Sequence, residues 1–148
     1  MATTFDEILE ADGQLMYRTK GRSMMPLLRE GVDLIVVDRK GSDRLSLMDV
    51  PLYKRSDGKY ILHRVMWVRK NDYVICGDNQ HYLERGITDD DILGVMTAVI
   101  RGGKRIECSS LRMRAYSFLQ WICYPARAVV FYLWRSLLPK IKHKIFGE

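Results

Sequence analysis

The sequence predicts a mainly β fold: a coiled, antiparallel, barrel-like sheet domain over residues 1–109 with a short N-terminal helix, followed by a helical appendage over residues 110–148. Two observations lead there. Short apolar runs recur between turn-forming pairs such as Glu30-Gly31, Lys40-Gly41, Asp57-Gly58 and Gly102-Gly103, a rhythm of antiparallel strands. The rhythm stops near Ser110, and from Leu111 to Phe146 the chain has neither strand alternation nor glycine. A length of 148 residues suits one compact domain with an appendage.

Thr4 and Glu7 stand in capping-box spacing before the apolar stripe Phe5, Ile8 and Leu9, which predicts a helix ended by Asp12-Gly13. Gln14 to Lys20 reads as a strand broken by Gly21. Val32 to Val37 is a buried-type β run. Val50 to Arg55 is a shorter strand whose Pro51 favours a strand start or an edge. Ser56-Asp57-Gly58-Lys59 marks a hairpin turn into a returning strand from Tyr60 to Val68. Asn71-Asp72 turns into Tyr73–Cys76, and Ile92–Arg101 is a further strand closed by Gly102-Gly103. Leu111 to Phe146 reads as one or two helices, interrupted near Pro125 and again near Pro139.

Composition narrows the chemistry. Cys76, Cys108 and Cys123 are an odd, widely spaced set, so neither a disulfide framework nor a zinc pattern is expected. His63, His81 and His143 are far apart, and no metal or other cofactor is expected. Met1 to Ile8 lacks a basic segment followed by an apolar run, so it reads as neither a leader nor an N-terminal membrane anchor. Charge is asymmetric. Residues 1–100 hold 14 Lys/Arg against 16 Asp/Glu, a net of −2, whereas residues 101–148 hold 10 against 2, a net of +8. A basic C-terminal third of this kind suggests a surface-binding segment.

Two segments carry the candidate chemistry. Gly21-Arg22-Ser23-Met24-Met25-Pro26 sets a serine in a turn, where a glycine permits close backbone approach and a proline stiffens the exit. A serine hydroxyl is a weak nucleophile unless a neighbouring base takes its proton. Tyr60-Ile61-Leu62-His63-Arg64-Val65 supplies a candidate base, since an unperturbed imidazole titrates near 6.5. Strand alternation puts His63 on the face of Ile61 and Val65 and turns Arg64 to the other side, in a structural role. A third segment, Cys76-Gly77-Asp78-Asn79-Gln80, with Glu84 beyond it, offers an acid that would orient the histidine. Either Asp78 or Glu84 fits that role, and Asp78 equally fits a turn in which it bonds only to local backbone. Met24 and Met25 are candidates for packing beside a substrate.

Gly21-x-Ser23-Met24-x-Pro26, Gly31-Val32-Asp33, Tyr60-x-x-His63-Arg64-Val65, Gly77-Asp78-Asn79 and Asp91-Ile92-Leu93-Gly94-Val95, in that order over most of residues 14–104, resemble the signal peptidase family of serine proteases. The histidine, where bacterial leader peptidases carry lysine, resembles the endoplasmic-reticulum and archaeal branch. Self-cleaving repressors share the fold but use lysine. The resemblance implies a signal-peptidase-type β domain in which Ser23 is the nucleophile, His63 the general base and Asp78 or Glu84 the acidic partner. It also implies a peptide or protein substrate added as a strand at a sheet edge, with backbone N–H groups near Ser23 holding the oxyanion. The family's second acidic motif normally carries Asp where this chain has Glu84. The alternative is a non-catalytic module on the same fold that holds a peptide or a partner.

The C-terminal segment reads in three ways: on an anionic membrane surface, packed as a cover or homodimer interface, or as a membrane span. A central arginine costs about 2.5–3.5 kcal/mol on insertion, which weakens the span. On a helical wheel Gln120, Arg127 and Arg135 fall within about 80°, and the rest is broadly apolar, with Trp121 and Trp134 in it. Lys140, Lys142 and Lys144 follow as a basic end suited to anionic lipid. Nucleic acid is not an expected partner, because the basic residues are interleaved with bulky aliphatics. The expected location is the cytoplasm or the cytoplasmic face of its membrane.

Overall fold

The computed structural model of the chain describes residues 4–146, with side chains through residue 137. The fold is mainly β, with a curled antiparallel half-barrel sheet, a short N-terminal helix and two C-terminal helices. Helix α1 (Phe5–Asp12) forms on the expected capping box: the Glu7 N–H donates to Thr4 Oγ1 at 3.3 Å and the Thr4 N–H donates to Glu7 Oε2 at 2.9 Å. Gly13, at φ 71°, ends it by donating to the Leu9 carbonyl.

Among the described residues nine strands follow: β1 (Gln14–Arg18), β2 (Leu34–Arg39), β3 (Pro51–Lys54), β4 (Tyr60–Leu62), β5 (Arg64–Val68), β6 (Tyr73–Cys76), β7 (Glu84–Ile87), β8 (Ile92–Arg101) and β9 (Lys104–Glu107). The larger sheet runs β1-β2-β8-β3-β4, with β9 also on β8, and the smaller runs β5-β6-β7. Strand β8 is long enough to pair β2 along its length, β3 near its start and β9 near its end.

Strand β3 divides the core. Leu52 points into a cluster with Leu9, Leu15, Ile35, Val37 and Val99, while Tyr53 points into a second with Val65, Tyr73, Ile75 and Ile92. The returning strand makes the same division: Leu62 packs on the first cluster and Ile61 on the second.

The single strand expected from Tyr60 to Val68 is two. The chain leaves the larger sheet after Leu62 and enters the smaller one at Arg64, so His63 occupies the crossover. The change of partner explains the break, since β4 pairs with β3 and β5 pairs with β6. The strand expected over 32–37 lies two residues later, and β7 and β9 were not expected. Both are short and polar, and they gain their place from pairing with β6 and β8.

Helices α2 (Leu111–Ile122) and α3 (Tyr124–Phe146) complete the chain. Ser110 caps α2 by accepting from the Met113 N–H at 3.4 Å. The break expected near Pro125 falls at Cys123, and Pro125 sits in the first turn of α3, where its missing N–H costs no helical bond. Helix α3 continues past Pro139, contrary to the expected interruption; an interior proline removes one bond of the ladder, and the remaining turns hold.

Candidate functional site

The sheet curls so that two of its edge strands, β1 and β4, face one another across a cleft of about 390 Å³. Tyr17 of β1, Tyr60 to Leu62 of β4, and Leu52, Met24 and Leu28 line it. Phe5 of α1 spans the gap, its ring 4.7 Å from that of Tyr17 and 4.8 Å from that of Tyr60. Ser23 and His63, 40 positions apart in sequence, both line this cleft. The described hydrogen bonds include none between the serine hydroxyl and the imidazole.

Ser23 lies in the turn after β1, with a cis peptide bond between Met25 and Pro26. The Gly77-Asp78-Asn79 segment locks that turn from behind. The Asn79 N–H donates to the Ser23 carbonyl at 2.8 Å, and Asn79 Nδ2 donates to the Arg22 carbonyl at 3.1 Å. Gly77 is required for this closeness, because a Cβ there would stand 2.6 Å from the Ser23 carbonyl oxygen. The far end of the loop is anchored by Asp33, fully buried, which binds Arg101 and Arg29. Burial alone would raise the Asp33 carboxyl, but these guanidiniums outweigh it and hold the group far below the ordinary range.

His63 is 3% exposed. Its Nδ1 stands 3.3 Å from the Tyr53 hydroxyl, which donates to Glu84 Oε2 at 2.7 Å. Arg55 donates to the same carboxylate from Nε and Nη2. Burial would raise the Glu84 carboxyl, but the Arg55 and Tyr53 bonds outweigh it and keep the group below its ordinary value. Because the Tyr53 proton is committed to Glu84, the hydroxyl oxygen is left to accept from His63, which places the imidazole proton on Nδ1 and leaves Nε2 basic. Burial lowers the imidazole to about 4, the Glu84 charge opposing and the Arg55 charge assisting, so the ring is neutral at pH 7.

The two candidate acids therefore have different surroundings. Glu84 reaches His63 through Tyr53. Asp78 is committed elsewhere: Arg64 Nε and Nη2 donate to it at 2.7 and 2.8 Å, both side chains almost wholly buried, and Tyr116 of α2 adds a bond at 3.0 Å. Arg64 also bonds the Met48 carbonyl and Ser117 Oγ, so the pair joins β5, the Gly77 turn and α2. Met24 is a core residue that also forms cleft wall, whereas Met25, half-buried, lies outside that lining.

Tyr53 and Arg55 are the site residues that sequence reasoning missed. The hairpin register carried a signal for the first: Tyr53 pairs with Ile61, so His63, two residues on, is its diagonal neighbour on the same face.

On the helices, Trp121 turns toward the β domain and donates to the Met66 carbonyl at 2.9 Å, while Trp134 is exposed. Lys140, Lys142 and Lys144 lie outside the described side chains. Among the described residues no helix is long and apolar enough to cross a membrane. Comparison with family models, curated proteins and solved structures found no match to this chain.

Proposed function

We propose that the chain is a serine endopeptidase of signal-peptidase type, with Ser23 as nucleophile, His63 as general base and Tyr53–Glu84 holding the imidazole. The observation that carries this reading is the convergence of the Ser23 turn and a buried, neutral His63 on one cleft between two sheet edges. A neutral imidazole with its proton fixed on Nδ1 is the form a base must have, and hydrogen bonds between nucleophile and base commonly tighten only when substrate is bound.

A peptide strand laid along β1 or β4 would extend the sheet across the cleft. Ser23 Oγ bonds to the scissile carbonyl carbon as its proton passes to His63 Nε2, and the carbonyl π pair moves to the oxygen. The carbon–nitrogen bond then breaks, and the departing amine takes the proton from His63. Water, deprotonated by the same imidazole, releases the acyl group from Ser23. Tyr53 and Glu84 steady the imidazolium that forms twice in this cycle. Arg64 and Asp78 keep the Gly77 turn, and with it Ser23, in place.

The test is incubation of the whole chain with a complex peptide mixture, read by mass spectrometry, beside Ser23→Ala and His63→Ala. Cleavage by the parent that falls at least a hundredfold in both variants supports the reading; equal cleavage by all three overturns it. The absence of a Ser23–His63 hydrogen bond favours a second reading, a peptide-holding module without catalysis. Under that reading no chain cleaves, and the parent and Ser23→Ala retain the same peptides.

A further inference from the structure

Helices α2 and α3 meet the β domain through a mixed polar and aromatic side, with Met113 on the core and Phe131 stacked on His81, and present an apolar row to solvent. Inward, Tyr116, Ser117, Trp121 and Tyr124 bond Asp78, Arg64, the Met66 carbonyl and the His81 carbonyl. Gln120 and Arg127 are on the same side and bond to each other at 2.6 Å. Outward stand Phe118, Leu119 and Ile122 on α2 and Val129, Val130 and Leu133 on α3, each about half exposed or more. A helix that merely covers a sheet carries polar residues on its solvent side, not such an apolar row.

We infer that this outer face docks on an anionic lipid surface, with the helices in the plane of the headgroups. Charge selects this occupant. Residues 110–147 contain Arg112, Arg114, Arg127, Arg135, Lys140, Lys142 and Lys144 and no Asp or Glu. A second copy meeting this face about a twofold axis would bring two basic surfaces together with no acid to offset them. An anionic bilayer satisfies the apolar and the basic groups together. On α2, Arg112 and Arg114 fall on the two flanks of the Phe118–Ile122 side, placed to reach headgroups while the apolar side chains enter the boundary region. Exposed Tyr132 and Trp134 suit the same zone. The surface is independent of Ser23 and His63, so lipid binding and peptide cleavage are separable properties.

Flotation of the full chain with vesicles tests this, one set of phosphatidylcholine and the other of phosphatidylcholine with phosphatidylglycerol. The expected result is binding to the mixed vesicles at least about tenfold tighter than to the neutral ones and weakened by salt. Val130→Glu with Leu133→Glu should abolish it and leave the far-ultraviolet spectrum unchanged. Val32→Glu, an equally exposed position on the β domain, should not. Equal binding by the double variant overturns the inference, as does a lipid-free dimer that the double variant dissociates.

Discussion

The Tyr53 hydroxyl stands 3.3 Å from His63 Nδ1 and donates its own hydrogen bond to Glu84. A tyrosine thus occupies the place in which a direct acid was expected, and Glu84 would act on the proposed base at second hand. Tyr53→Phe keeps the buried ring and deletes one hydroxyl. A hydrogen bond of this class is worth about 1–1.5 kcal/mol, so kcat should fall about tenfold, with KM nearly unchanged. Nitrogen-15 spectra of the imidazole give a readout free of activity: the parent should be the Nδ1–H tautomer and the variant a mixture. A variant with unchanged kcat and unchanged tautomer would remove Tyr53 from the mechanism.

The contact of Gly77 with the Ser23 carbonyl has its own test. Gly77→Ala would put a methyl 2.6 Å from that oxygen and 2.9 Å from Gln80 Oε1. Backbone cannot yield as a side chain tip does, so we expect a loss of about 1–3 kcal/mol in stability and a larger fall in activity than stability alone explains. Gly41→Ala, where a Cβ meets nothing within 4 Å, should be neutral in both. Urea unfolding together with peptide cleavage distinguishes them.

Arg64 and Asp78 form an ion pair that solvent hardly reaches. Removing one member strands the other, at a cost of about 3–5 kcal/mol. Arg64→Met and Asp78→Asn should each approach that loss in urea titrations, while the double change should cost clearly less than the sum. Additive losses would mean that the two residues act independently. Because Tyr116 and Ser117 join the same cluster, either single change should also loosen α2, visible as faster amide exchange along residues 111–122.

Local signals made much of the fold legible. The Thr4–Glu7 capping box, the Asp57-Gly58 turn and the largely apolar run of β8 each specify structure within a few residues. What was not legible depends on distant partners. Nothing within Glu84–Ile87 calls for a strand; β6 supplies the pairing. Nothing around Asp78 names Arg64, which lies 14 residues upstream, or Tyr116, which lies 38 downstream. The polar stripe of Gln120 and Arg127 was plain in the sequence, but its direction was not, because only the packed β domain shows which side of the helix is occupied. Ser23 and His63 were legible as residue types in a motif, and the Tyr53 link between His63 and Glu84 required the hairpin register.

The burial of His63 should be visible as acid sensitivity. Its folded value of about 4 lies below the unfolded 6.5, so the unfolded chain binds more protons between those values. The neutral ring therefore contributes full stability above about pH 6.5, and that contribution is lost as pH falls through the window. The difference corresponds to roughly 3 kcal/mol, most of it gone by pH 4.5. The lowered carboxylates, Asp33 and Glu84 among them, work in the same direction but at lower pH, and Asp49, raised by burial, works in the opposite one, so the histidine's share is read from the difference between the parent and a His63 variant. Urea unfolding from pH 7 to pH 4.5 should show this slope in the parent, and His63→Gln should flatten it. The same value sets the acid limb of kcat/KM, expected near pH 4 rather than 6.5. Arg55→Gln, which removes a cation that helps depress the imidazole, should move that limb upward. A limb that stays near 6.5 in the parent would show that the essential base is not the buried His63.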